Sequence, residues 1–166
     1  FFARDWRHAR PVTSLWTPRL MMPNVDFAAT AGHWLPSGEK PILGLAFFLA
    51  ASFTNGVVIE TGRKLRQPAD EEEGVETYSA LWGRRRAGLV WWMMLLVTLL
   101  FATLAAREIG FLLPVLPTLL VFLVAAAFLL RRYVAGRLPG KVLENLSGLW
   151  TLALYLSLGV IPLFLR

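Results

Sequence analysis

Long apolar runs separated by charged stretches set the pattern of this chain. Four windows, 41–59, 87–106, 110–130 and 146–165, hold no Lys, Arg, Asp or Glu. A helix rising ~1.5 Å per residue needs ~20 residues to cross the hydrocarbon core of a bilayer, and each window meets that length. A fifth stretch, 12–35, is apolar but interrupted by Arg19, Asn24, Asp26, Pro18 and Pro23. Proline breaks the helix ladder locally, and an ionisable group at membrane depth is costly. This stretch therefore reads as a bent helix facing protein or water on one side. The pattern predicts an all-α fold: a polytopic transmembrane helical bundle of about five spans, with one long polar loop at 60–86.

Composition agrees. Hydrophobic residues make up 56% of the 166 positions, charged residues 17%, and mean hydropathy is +0.54. Soluble domains carry nearer ~25% charge, and a chain this short leaves too much surface exposed to hide so many apolar side chains in water. No cysteine is present, which removes disulfides, thiolate metal sites and thiol catalysis.

The net charge of +6 is unevenly placed. With five spans, Arg4, Arg7 and Arg10, the 60–86 loop, and the 131–145 loop fall on one side and carry 13 Lys and Arg. Lys40, Arg107 and Arg166 fall on the other. The positive-inside rule puts the amino end and loop 60–86 in the cytoplasm of a multi-pass protein, as in a bacterial inner membrane. Basic residues spread over separate loops between apolar spans do not suit nucleic acid, so the bilayer is the expected partner. The chain opens on Phe1-Phe2, and FFARDWRHAR has no apolar signal core. It reads as a piece of a longer protein whose amino-terminal part completes it.

Most of the polar information lies in ETGRKLRQPADEEEGVETYSALWGRRRA, residues 60–87. Glu60 closes a span, and Arg63 and Lys64 follow at i+3 and i+4 on one helical face. Pro68 disfavours helix at Gln67 and suits the first turn of a new one. Asp70, Glu71, Glu72 and Glu73 would then occupy that helix's first turns, with Asp70, Glu73 and Glu76 on one face. One reading is a magnesium and diphosphate site. Mg²⁺ takes oxygen ligands from one or two carboxylates and from substrate phosphates. Glu60, Asp70, Glu71 and Glu73 are the candidate ligands, with Glu60, Asp70 and Glu73 the candidate catalytic groups. Arg63, Lys64 and Arg66 would hold diphosphate by charge-assisted hydrogen bonds. The other reading is structural: acidic residues early in a helix favour its dipole, and basic residues at span ends set orientation.

Asp26 and Arg19, about two helical turns apart, form either an intramembrane functional pair or a mutual salt bridge. Asn55 and Tyr78 are further candidates, although Asn55 reads most simply as a hydrogen-bond partner between helices. Trp6, Trp16, Trp91 and Trp92, near span ends, read as interfacial anchors.

The stretch Glu60-Thr-Gly-Arg-Lys-Leu-Arg, followed by Pro68-Ala-Asp-Glu-Glu-Glu-Gly-Val-Glu-Thr-Tyr-Ser-Ala-Leu-Trp-Gly, resembles the second acidic motif of the UbiA superfamily of intramembrane prenyltransferases. The resemblance implies a nine-helix fold of which these five spans are the last part, with the motif after the sixth helix. It implies Mg²⁺, a prenyl diphosphate donor and a lipophilic, commonly aromatic, acceptor. The family's first acidic motif belongs to an earlier helix, so this stretch alone is expected to be inactive. The rival is a non-enzymatic membrane module, a transporter half or assembly subunit, using Asp26 and Arg19.

Overall fold

The computed structural model describes residues 21–34, 43–71 and 76–160, together with 162 and 164. The described residues form six α-helices: α1 Met21–Trp34, α2 Leu43–Arg63, α3 Tyr78–Trp82, α4 Arg84–Glu108, α5 Leu112–Val134 and α6 Gly140–Tyr155. A 3₁₀ turn lies at Pro68–Asp70, and Leu156–Val160 continues α6 as a π-helical turn. Among the described residues there is no strand, so the chain is an all-α bundle.

Among the described residues three helices, α2, α4 and α5, are long and apolar enough to cross a membrane. They coincide with three of the predicted windows: α4 covers 87–106 whole, while α2 and α5 begin two residues inside 41–59 and 110–130, and all three run past the carboxyl end of their window. The fourth window, 146–165, begins late. Helix α6 starts at Gly140, because a polar first stretch with Leu143 buried and Lys141 and Asn145 exposed precedes the apolar run. Together with its π turn it runs unbroken from Gly140 to Val160. Helix α1 occupies part of the interrupted 12–35 stretch. Its Pro23 sits in the first turn, where proline costs little. Arg19 and Pro18 lie outside the described residues.

Helix α2 packs most extensively on α4 and also against α6, while α4 meets α5 and α5 meets α6. The four helices thus close a ring. Trp91, Trp150, Leu95, Leu119, Val57 and Val58 fill its centre. Leu113, Val121, Val124 and Phe128 project outward from α5 at 60% exposure or more. An apolar stripe of this kind on a helix of spanning length suits contact with hydrocarbon.

Trp91 corrects an expectation. It is fully buried rather than interfacial, and its indole N–H donates to Ser147 Oγ at 2.9 Å. That bond satisfies a donor that burial would otherwise leave unpaired. Trp92 is half-buried, while Trp6 and Trp16 lie outside the described residues.

Two glycines hold the α5–α6 turn against the polar loop. Gly136 has φ of 75°, a left-handed conformation that ends α5. Gly140, the first residue of α6, lies so close to the loop that an added Cβ would stand 1.8 Å from the Leu65 carbonyl oxygen. The obstacle is backbone, which a rotamer change cannot move. Gly140→Ala is therefore expected to cost about 1–3 kcal/mol, the range for overpacking. The check is a lowered thermal midpoint in detergent, relative to Gly148→Ala, where the added methyl meets nothing within 4 Å.

Candidate functional site

The candidate site begins where α2 runs out. Its last turn holds Glu60, which is 8% exposed. The Glu60 carboxylate accepts from Arg63 Nη2 at 2.9 Å and faces Lys64 Nζ at 3.3 Å. The i+3 and i+4 spacing thus brings these three together as the sequence predicts. Two cations beside one largely buried carboxylate compensate its burial.

The helix then stops: the Lys64 carbonyl accepts from Tyr78 N–H at 3.1 Å, and Arg66 is the first residue whose own N–H finds its partner outside the helix. Ser79, in α3, accepts from Arg66 N–H at 2.7 Å. Tyr133, in α5, donates its hydroxyl to the Arg66 carbonyl at 2.8 Å. Ser79 and Tyr133 lie 2.9 Å apart, oxygen to oxygen. Since the tyrosine proton goes to Arg66, the serine hydroxyl donates to Tyr133. Gln67 is fixed in the same way. Its Nε2 donates to the carbonyls of Tyr133 at 3.0 Å and Leu138 at 2.6 Å, while Arg84 donates to its Oε1 at 2.7 Å. The polar loop is thereby tied to the end of α5 and the start of α4.

The acidic run differs from expectation. Pro68–Asp70 forms only a 3₁₀ turn, and Glu71 is extended, with φ −75° and ψ 130°. The next helix begins at Tyr78, so Asp70 and Glu76 do not share a helical face. The physical reason is a competing partner. Thr77 caps α3 by accepting from Ala80 N–H at 3.2 Å, and its hydroxyl donates to the Glu71 carboxylate at 2.7 Å. That bond draws Glu71 across to the later cap instead of along a continuing helix. Glu72 and Glu73 lie outside the described residues.

Arg66 reaches in the other direction, to Glu144 of α6, at 3.3 Å. Lys141 meets the same carboxylate at 2.7 Å. Arg66, Asp70, Glu71 and Lys141, with Ala69 and Pro139, line an open cleft of about 480 Å³. A second cleft, about 670 Å³, runs between α2 and α6 and is lined by Ile59, Arg63, Glu144, Leu149, Thr151 and Leu152 among others. Glu60 and Arg63 therefore belong to one side of the loop, Asp70 and Glu71 to the other. Tyr78 is buried and stacked on Trp82, with ring centroids 4.7 Å apart, and Lys64 Nζ stands 5.2 Å from its ring centre. It forms part of the loop's packing.

Among the described residues no three His, Asp or Glu side chains converge as a metal-binding group. The smaller demand of Mg²⁺, one or two carboxylates with phosphate oxygens, fits Asp70 and Glu71 beside Arg66 and Lys141. Glu60, already held by two cations, fits a structural role better.

Away from the loop, Asp26 accepts from Ser52 of α2, and Ser52 is 2.9 Å from the Tyr155 hydroxyl of α6. Asn55 Oδ1 accepts from Thr151 at 3.2 Å, the interhelical contact expected of it.

Lys141, Glu144, Gln67, Ser79, Thr77 and Tyr133 were not singled out from the sequence. Thr77 and Ser79 sit in the polar run after the acids and were open to being found there. Tyr133 and Glu144 are 67 and 78 residues from Arg66, and no spacing rule links them.

The chain matches no known family model, no curated protein and no solved structure.

Glu144 is held below the usual glutamate range by its hydrogen bond from Lys141, aided by the Arg66 charge and opposed by partial burial. A depressed carboxylate stabilises the fold above its ordinary pKa, and that contribution is lost as pH falls through the lowered value. Acidification from pH 6 to pH 3 should thus cost wild type more stability than Glu144→Gln. Thermal midpoints of the two proteins across that range are the check, and parallel curves would contradict it.

Proposed function

We propose that the chain is the carboxyl-terminal part of a UbiA-like intramembrane prenyltransferase. The supporting observation is the cleft at the loop, where two carboxylates, Asp70 and Glu71, stand with two cations, Arg66 and Lys141, next to a bundle of apolar helices. A substrate with an anionic head and a greasy tail matches that juxtaposition. The motif resemblance supports the same reading.

In this account Asp70 and Glu71, with Glu73, would hold Mg²⁺, and the ion would supply Lewis-acid stabilisation of the diphosphate leaving group. Arg66 and Lys141 take up the charge that develops as the allylic C–O bond breaks and its electron pair departs with the diphosphate. The prenyl carbon then bonds to an acceptor carbon, which gives up a proton. The helices exclude water that would capture the prenyl cation. Arg63 and Lys64 are taken up by Glu60 on the other side of the loop, and in this account they do not hold the diphosphate. The prenyl diphosphate is thus expected from the cytoplasmic side, with the loop facing inward in a bacterial inner membrane, as the basic residues suggest.

A second reading has one observation in its favour. Asp26, Ser52 and Tyr155 link three helices through polar groups inside an apolar bundle. A non-enzymatic transporter half or assembly subunit would use such a link.

The test is Mg²⁺-dependent binding and turnover of farnesyl diphosphate by the full-length protein in membranes. Asp70→Asn combined with Glu73→Gln should lower diphosphate release at least ~100-fold. Arg66→Ala should weaken binding about 10-fold, which is ~1.4 kcal/mol. Unchanged release in the double variant would exclude these acids as metal ligands.

A further inference from the structure

A third cleft opens at the polar end of the bundle, between the start of α4 and the α5–α6 turn. Its volume is about 580 Å³, and Gln67, Asp70, Arg84, Gly136, Arg137 and Leu138 are among its lining. That lies within the ~300–1,000 Å³ of ligand-binding clefts. It shares Asp70 with the cleft proposed for diphosphate, but its cations, Arg84 and Arg137, are different ones. The register of α4 against α5 fixes its place. Gly88 of α4 faces Leu130 of α5 so closely that an added methyl would collide with it. One turn earlier on α4, the Arg84 guanidinium lies over Gly136, where an added Cβ would stand 3.3 Å from Nη1. Arg84, Arg85 and Arg86 thus gather with Arg131, Arg132 and Arg137 at one end of two helices of spanning length.

Arg84 is held in place without being neutralised. It is half-buried, and its Nη1 donates to Gln67 Oε1, a neutral amide, at 2.7 Å. A guanidinium carries five N–H donors, so most of them stay open among the described residues. The end of α5 has no call on them. The carbonyls of Arg131, Arg132 and Tyr133 already accept from the N–H groups of Ala135, Arg137 and Gly136, at 3.1, 2.9 and 3.0 Å. Ion pairs take up Arg63, Lys64, Arg66 and Lys141, but among the described residues none forms at the six gathered arginines. Asp70 lines the cleft and pairs with neither Arg84 nor Arg137. A concentration of one sign of charge repels itself and attracts a counter-ion.

The partner must suit the level of the cleft as well as its charge. The charge-free run of α4 starts at Ala87 and that of α5 ends at Leu130. The arginines therefore stand where the apolar surface stops, at the depth of lipid headgroups. Arg132 lies over the Phe128 ring, 5.8 Å from its centre. From there Phe128, Val124 and Val121 carry the exposed apolar stripe away along α5. A soluble phosphate would leave that stripe unused. A zwitterionic headgroup would bring its own cation among six arginines, against one acid. An anionic phospholipid meets both features, and basic pockets between spanning helices recognise such headgroups. Arginine's fork suits phosphate oxygens in pairs. We propose that Arg84 and Arg137 bind the phosphate of an anionic phospholipid whose acyl chains lie along α5. Gln67 and Gly136 are positioning residues: one holds the Arg84 guanidinium, the other leaves room for it. The site does not rest on the prenyl-transfer reading.

The experiment is native mass spectrometry of the full-length protein released from nanodiscs of mixed phosphatidylcholine and phosphatidylglycerol, counting the lipids it retains. Phosphatidylglycerol should be enriched at least ~10-fold over its share of the bilayer. The double variant Arg84→Gln/Arg137→Gln should lose that enrichment, while Arg107→Gln, at the other end of α4, keeps it. Circular dichroism and thermal midpoints establish that each variant is folded. If the double variant fails to fold, Arg137→Gln alone, at an exposed position, carries the test with a ~5-fold loss, the worth of one arginine near an anionic surface. Equal retention of the two lipids by wild type would overturn the proposal, and so would enrichment that survives the cleft variants. An equal loss in Arg85→Gln/Arg86→Gln would overturn it in favour of diffuse surface charge. Displacement of phosphatidylglycerol by inorganic phosphate at matched concentration would overturn it in favour of a soluble-anion site. Failure of farnesyl diphosphate turnover with the enrichment intact would remove the prenyltransferase proposal and leave this site standing. Turnover with no enrichment would do the reverse.

Discussion

The triangle of hydrogen bonds among Arg66, Ser79 and Tyr133 is the constraint on which the polar end of the bundle depends. A helix supplies its own partners for every backbone group until it stops, and α2 stops within reach of an apolar environment. At Arg66 the backbone N–H and carbonyl pass to side chains from two other helices, a serine in α3 and a tyrosine in α5. The serine hydroxyl closes the triangle by donating to the tyrosine, so all three members are satisfied. A fully satisfied buried network rigidifies its surroundings, whereas a partly satisfied one is costly.

The consequences run outward from that point. Once Arg66 is fixed, Gln67 meets the carbonyls at the end of α5, and Arg84 meets Gln67. Gly140 permits the approach, because a methyl group there would collide with the Leu65 carbonyl. The Arg66 side chain then faces Glu144, and Asp70, Glu71 and Lys141 border the same cleft. The cleft that carries the functional proposal is therefore built by loop anchoring more than by the acidic residues themselves. Lys141 joins it from α6 because the α5–α6 turn is pressed against the loop.

The long elements were legible in the sequence. Runs free of charge gave α2, α4 and α5, and the i+3, i+4 spacing gave the Glu60, Arg63 and Lys64 group. Legibility ended where side chains rather than helical spacing supply the partners, whether six residues away or far along the chain. Nothing in the spacing of Asp70–Glu73 indicates that Thr77 will capture Glu71 and interrupt a helix. Trp91 carries the same residue type as an interfacial anchor, and only the position of Ser147 on α6 shows why it lies inside. Local propensity reads the long helices, while side-chain hydrogen bonds, some local and some spanning more than 60 residues, decide what the loop becomes.

Amide hydrogen exchange over residues 64–71 tests the central claim most directly, comparing wild type with Tyr133→Phe. The substitution removes one hydroxyl and keeps the ring. The account predicts that the Arg66 and Asp70 amides are protected in wild type and exchange at least ~10-fold faster in the variant, while the amides of α4 stay protected. Equal protection of the loop in both proteins would mean that something other than the triangle holds it, and would contradict the account.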